Sequence, residues 1–339
     1  MIFIGNWTER KGKHEVAEMS RVKTGDKELR KVFAETLEEL MRENKDVIYL
    51  EADLAGAIGT AGLFASMPEQ AFDMGIMEAN MVGVGAGMSV KGKIPFMHSF
   101  GTFTSRRCAD QTFLSGCYNH ANIKIAGSDP GITAETNGGT HMPFEDMGIY
   151  RSFPGITILD VAEPRLLHEM LRSMAEEYGV MYIRFPRKGK TCYYEETQTF
   201  SIGKGVVVRD GEDVTVIASG IEVPEAILAA EELEEEGIRV RVVDMFTVKP
   251  LDEELVTACA RETGAVVTAE NHNKIGGLGS AVSEVLAENA AVPFRRVGVP
   301  DCFGEVGSLS FLSEKFGISK NHIKEAVREV LKKKQGRTV

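Results

Sequence analysis

The first residue with chemical promise is a carboxylate in poorly solvating company. Glu78 sits in Met74-Gly-Ile-Met-Glu-Ala-Asn-Met-Val82, among apolar and small side chains, where an ionised group needs a specific partner. Such a residue either caps a nearby helix start or serves a partner brought to it. Further on, Phe100 and Phe103 stand three apart just before the basic pair Arg106-Arg107, giving the carboxylate an aromatic wall. His141 ends a long, glycine-rich, polar stretch, residues 127–143; loops of that kind inside a compact domain tend to carry function. Asp53 follows an apolar run at 46–50, the strand end at which open α/β sheets place ligand residues.

The elements that must hold these residues alternate. Leu29, Val32, Phe33, Leu37, Leu40 and Met41 recur at helical spacing and predict a helix over 27–44. Short apolar runs at 46–50, 94–97, 123–126, 156–159 and 181–184 read as buried strands, with a helix over 164–178. Between the first two of these strands, glycines at 83, 85 and 87 suit a helix that another element approaches closely. After a polar stretch, a second unit places strands at 214–217, 240–244 and 265–268 among helices over 223–236, 252–261, about 280–289 and 321–334. Alternation of this kind predicts an α/β chain of two domains with mostly parallel sheets. The expected division is an arm at 1–25, a first domain at 26–190, a linker at 191–201 and a second domain at 202–335.

With 339 residues the chain can build two cores, and its net charge of −11 argues against nucleic-acid or anionic-membrane partners. Neither a signal peptide nor a membrane span is evident, and the odd, widely spaced set Cys108, Cys117, Cys192, Cys259 and Cys302 fits reduced thiols. A cytoplasmic protein is expected. Asn271-His-Asn with Gly276-Gly-Leu-Gly279 matches neither a P-loop nor a dinucleotide fingerprint and reads as structural.

The patterns G-I-x-E-x-N-M-V-G, G-K-x-P-F and F-x-x-F-x-S-R-R-x-x-D-Q, on Glu78, Pro95, Phe100, Phe103 and Arg106, resemble the pyrimidine-binding domain of the transketolase family. Similarity to the family's two C-terminal domains runs from about residue 30 to about 331. The resemblance implies two three-layer α/β/α domains and thiamine diphosphate as cofactor. It implies that Glu78 hydrogen-bonds N1′ of the aminopyrimidine, that Phe100 and Phe103 flank that ring, and that Asp53 and Arg106 lie near the cofactor. It further implies that His141 and Asn137 meet the donor sugar's hydroxyls. Arg30 and Arg184 fall near the arginines with which the family clamps a substrate phosphate, and the second domain is expected to build the dimer without supplying cofactor ligands.

Departures from the family pattern are equally specific. Asn137-Gly-Gly-Thr-His141 stands where many members have Asp-Gly-Pro-Thr-His, and an amide donates as well as accepts. Ala57 and Asp129 occupy the places of a serine and a histidine of the phosphate clamp, and a carboxylate there would repel a phosphate. The family's diphosphate and Mg2+ motif, Gly-Asp-Gly with a later Asn, has no match: the only Asp-Gly is Asp210-Gly211. The resemblance therefore implies one half of a split transketolase, active only with an N-terminal partner that binds Mg2+ and the diphosphate, in an α2β2 assembly acting on sugars or sugar phosphates. Competing expectations are a β-subunit of a 2-oxo acid dehydrogenase, a fragment like deoxyxylulose-phosphate synthase, or a non-catalytic regulatory subunit.

Overall fold

A computed structural model describes residues 22–336, so most of the expected arm at 1–25 lies outside the described residues. Strands β1 (Val47–Glu51), β2 (Ala71–Asp73), β3 (Ile94–Phe100), β4 (Ile123–Ser128), β5 (Thr157–Asp160) and β6 (Val180–Phe185) pair in parallel in the order β5-β6-β4-β3-β1-β2. Every residue of β1, β4 and β6 is buried, which is why these strands read as apolar runs rather than alternating ones. On one face, α1 (Leu29–Glu43) buries the apolar stripe seen in the sequence. The opposite face carries α2 (Glu78–Val90), whose Met81, Val82 and Ala86 share a core with Met97. A short helix, α3 (Gly101–Arg106), leaves the end of β3 directly, and α4 (Pro164–Glu176) packs beside α1 through Leu166, Leu167 and Met170.

Among the described residues, one of the three glycines of α2 is closely approached. A Cβ on Gly85 would come within 2.6 Å of the Met97 sulfur, whereas Gly83 and Gly87 meet no described residue.

The second domain adds β7 (Val206–Arg209), β8 (Val214–Ala218), β9 (Val240–Asp244), β10 (Thr247–Lys249), β11 (Val266–Asn273) and β12 (Phe294–Val299). Its own five-stranded sheet has the order β12-β11-β8-β9-β7, with β7 antiparallel to β9. Helices α5 (Glu222–Glu234), α6 (Glu253–Thr263), α7 (Leu278–Asn289) and α8 (Lys320–Gln335) cover it. Strand β10 belongs elsewhere: it pairs antiparallel with β5 and forms the seventh strand of the first sheet. Phe246 and Val248 carry this crossing, each packing into a core of the first domain. Among the described residues no helix is long and apolar enough to cross a membrane.

The expected linker is tied down. Tyr193 and Tyr194 both donate to Asp244 Oδ2, at 3.0 and 2.7 Å. Nearby, Glu270 accepts from the backbone N–H groups of Leu278 and Gly279 at the start of α7, and Glu163 accepts from Leu166 at the start of α4. Burial pushes the carboxyls of Glu163, Asp244 and Glu270 up to about 7 despite these bonds, and Glu222, whose oxygens have no hydrogen-bond partner among the described residues, is also raised well above the usual carboxylate range. From the ordinary carboxyl range up to about 7, the folded chain thus holds more protons on these groups than the unfolded chain, and stability falls as pH rises. His272 acts in the opposite sense, because burial lowers it to about 4 and the unfolded chain then binds the extra proton. The carboxyls outnumber it. The apparent melting temperature is expected to drop by a few degrees between about pH 5 and about pH 7; a rise across that interval in a thermal-melt series would refute this account.

Candidate active site

The C-terminal ends of β1, β3, β4 and β6 converge, and the functional side chains stand there or in the loops that follow. Glu78 is the first residue of α2 and only 3% exposed; a helix N-terminus favours a negative charge. Its Oε1 accepts from Arg107 Nη1 at 2.8 Å and weakly from Ser99 Oγ at 3.5 Å. Oε2 makes no hydrogen bond among the described residues.

The aromatic wall is real and larger than the sequence suggested. Phe100 and Phe103 rings lie 6.1 Å apart, and the His141 ring meets both edge-on, at 6.1 and 5.2 Å. Guanidinium groups cover one face of each phenyl ring: Arg107 lies 4.0 Å from the centre of Phe103 and Arg187 lies 4.7 Å from that of Phe100. Glu78, Arg107, Phe103, His141, Phe100 and Arg187 therefore form one unbroken run of contacts.

His141 is held by its loop. Thr140 Oγ1 lies 2.9 Å from His141 Nδ1, and Thr102 of α3 donates to the carbonyl of Thr140 at 3.3 Å. At the loop's start, Asn271 of the second domain accepts from Ile132 N–H and donates to Pro130 O, at 3.0 and 2.9 Å. The residue read as structural is thus what pins the loop. Gly139, where the family pattern has proline, abuts the backbone of Gly304 so closely that no Cβ fits there. Asn137 is exposed, and its side chain makes no hydrogen bond among the described residues.

One arginine expectation is corrected. Arg184 is fully buried, donating to Asp146 and Asp160 at 2.9 Å each and to Asn271 O at 3.2 Å; a guanidinium spent on two carboxylates in the interior cannot reach a substrate phosphate. Arg187 takes the outward place, with Nε at 2.6 Å from Asp129 Oδ2 and Nη1 at 3.3 Å from Ala57 O. Arg106 turns to Glu145, at 2.6 Å, while Arg107 faces Glu78.

Arg30 joins this edge through its backbone, whose N–H donates to Arg187 O at 3.0 Å, and its side chain pairs with Glu28. Asp129 adopts a left-handed backbone, φ 55°, and burial raises its carboxyl although Arg187 opposes the shift. Beneath it runs a buried chain that sequence reasoning passed over. His98 Nδ1 meets both Glu51 oxygens at 3.0 and 2.9 Å, His98 Nε2 lies 3.0 Å from Ser128 Oγ, and Tyr49 donates to Glu51. A histidine inside an apolar strand was the available signal. Asp53 has a left-handed backbone, φ 60°, and is exposed, its N–H donating to Asp73 at 3.1 Å; its side chain is not drawn into the aromatic group. Among the described residues no group of three or more His, Cys, Asp or Glu side chains is arranged to hold a metal ion.

Comparison with known proteins gives two family matches: "Transketolase, pyrimidine binding domain" over residues 26–190 and "Transketolase, C-terminal domain" over 203–323. A 6-deoxy-6-sulfo-D-fructose transketolase subunit, SqwH, of Clostridium sp. (strain MSTE9) is 47% identical, over 93% of this chain and 98% of that protein. One subunit of an apulose-4-phosphate transketolase of Phocaeicola vulgatus is 33% identical, over 90% and 97% respectively. A solved structure described as a split-gene transketolase in an inactive β4 tetramer is 40% identical with a TM-score of 0.83, covering 91% of this chain and 99% of that one.

Proposed function

The chain belongs to the transketolase family, with that family's pyrimidine-binding and C-terminal domains, and from this premise we propose that it is the C-terminal subunit of a split, thiamine-diphosphate-dependent transketolase. Its reaction is transfer of a two-carbon ketol unit from a ketose to an aldose. The observation that carries the reading is Glu78, a buried carboxylate with one oxygen bonded to Arg107 and the other unbonded among the described residues, beside a Phe103–His141 contact.

These residues fit the pyrimidine end of thiamine diphosphate: a buried acceptor with spare capacity beside two phenyl rings. When bound, the cofactor supplies the making and breaking of carbon–carbon bonds. The chain's own part is narrower. Glu78 would hydrogen-bond N1′ of the aminopyrimidine and exchange a proton with that nitrogen. Phe100 and Phe103 exclude water from that ring, and His141, which meets both rings edge-on, orients the donor's hydroxyls. An N-terminal partner subunit holds the diphosphate through Mg2+, and the inactive β4 tetramer described for the split-gene relative supports assigning an inactive state to this chain without its partner. Thiols that are free in all five positions agree with a reducing, cytoplasmic setting.

At the edge marked by Asp129, the pairing with Arg187 cancels a positive charge. Discrimination in favour of phosphorylated over unphosphorylated ketoses is accordingly expected to be weak. The test is a panel of both kinds of ketose with an aldose acceptor, using the chain reconstituted with its partner and identifying products. Aldoses two carbons shorter than the donor, formed together with ketoses two carbons longer than the acceptor, support the reading; turnover of 2-oxo acids alone would defeat it. In the same assay His141→Ala is expected to lower kcat/KM for the donor about tenfold to a hundredfold, the size of losing hydrogen bonds to a positioned group. Cofactor affinity, measured by titration, should stay within about twofold on the same scale. Equal losses in both would make His141 part of the cofactor pocket or of the scaffold.

A further inference from the structure

We propose that Arg107 is the positioning residue of Glu78, fixing the carboxylate through Oε1 so that Oε2 is presented to the cofactor. Three observations carry this. Among the described residues Arg107 is the one cation that contacts the buried carboxylate, by a single nitrogen at 2.8 Å. Its guanidinium is itself anchored, 4.0 Å above the Phe103 ring, so the carboxylate is gripped by a group that cannot swing freely. Its neighbour in sequence, Arg106, is engaged with Glu145 and unavailable for the same task.

Around Glu78 the other polar groups are weaker holders. Ser99 Oγ, from the end of β3, is at 3.5 Å. Cys108, which follows Arg107, is kept as a thiol, since burial and then the Glu78 charge push it up to about 12. An unpaired carboxylate at this depth would be free to change rotamer or to take a proton of its own. The geometry thus divides the two oxygens between two duties.

The inference rests on the reading of Glu78 as the aminopyrimidine partner. Its test uses the enzyme reconstituted with its partner subunit and four variants: Arg107→Met, Arg107→Lys, Glu78→Gln and the double variant Glu78→Gln with Arg107→Met. Thiamine diphosphate affinity is read by calorimetric titration, turnover by ketol transfer, and folding by thermal melting. Arg107 is 48% exposed at its side chain, so Met is expected to leave the fold intact.

The expected result is a loss of about tenfold to a hundredfold in both cofactor affinity and kcat for Arg107→Met. Arg107→Lys should recover most of that loss, because the contact to replace is one N–H on one oxygen. In the Glu78→Gln background, adding Arg107→Met should cost little further affinity, since residues acting through one contact are not additive. Wild-type or tighter cofactor binding by Arg107→Met would overturn the proposal and mark the guanidinium as a mere occupant of the aminopyrimidine's place. Fully additive losses, or no rescue by Lys, would overturn it too. Failure of the underlying reading looks different: Glu78→Gln itself would then bind cofactor and turn over normally.

Discussion

Glu78→Gln leaves a folded chain that, assembled with its partner and saturated with thiamine diphosphate, has lost ketol transfer by about a hundredfold or more. The side chain keeps its size and still occupies the first position of α2, so the core that Met81, Val82 and Met97 share is undisturbed. What changes is chemical. An amide nitrogen cannot accept a proton, and the carboxylate's charge, placed at a helix N-terminus against Arg107, disappears. Saturating cofactor separates this effect from weakened binding, and an unchanged melting curve separates it from misfolding. Near-normal turnover under those conditions would remove Glu78 from the mechanism.

The second large effect is all or none. Purified alone, the chain should bind thiamine diphosphate weakly and transfer no ketol units, and addition of the partner subunit should restore Mg2+-dependent binding and activity together. The physical reason lies in how little of the cofactor these residues reach. Glu78, Phe100 and Phe103 address one flat ring, whereas a diphosphate carries several negative charges that need a cation and fixed donors. Measuring cofactor binding with and without Mg2+ for the lone chain and for the reconstituted pair decides the matter. Full activity from the lone chain would sink the split-enzyme reading.

Much of this architecture was legible because buried parallel strands advertise themselves. Runs such as Val47-Ile-Tyr-Leu50 and Ile123-Lys-Ile-Ala126 sit between neighbours on both sides and helices on both faces, so apolar residues dominate both faces, and Lys124 is admitted only with its ammonium on the carbonyls of Glu177 and Gly179. Strands β2 and β10, three residues each, are too short to show any period. The glycine loop was visible as a loop, but its pinning by Asn271, some 140 residues away, depends on a contact that no local pattern encodes.

The arginines show where sequence reasoning stops. Arg106 and Arg107 are equally basic, and a helical turn of about 100° per residue sends one to Glu145 and the other to Glu78. Arg184 lies within β6 and is enclosed by Asp146 and Asp160, while Arg187, just past the strand, is free to reach the site edge. Side-chain type selected the candidates; backbone phase chose among them.

Strand β10 ties the order of synthesis to the completeness of the first sheet. By the time residue 190 has left the ribosome, six parallel strands can be in place, but β5 still shows a bare edge of backbone N–H and C=O groups. Its cover, Thr247–Lys249, arrives only after the chain has passed through β8 and β9. An unprotected edge invites pairing with another chain, so the first domain made alone is expected to self-associate through β5. The nascent chain is committed to running on to residue 249 before its first half is safe.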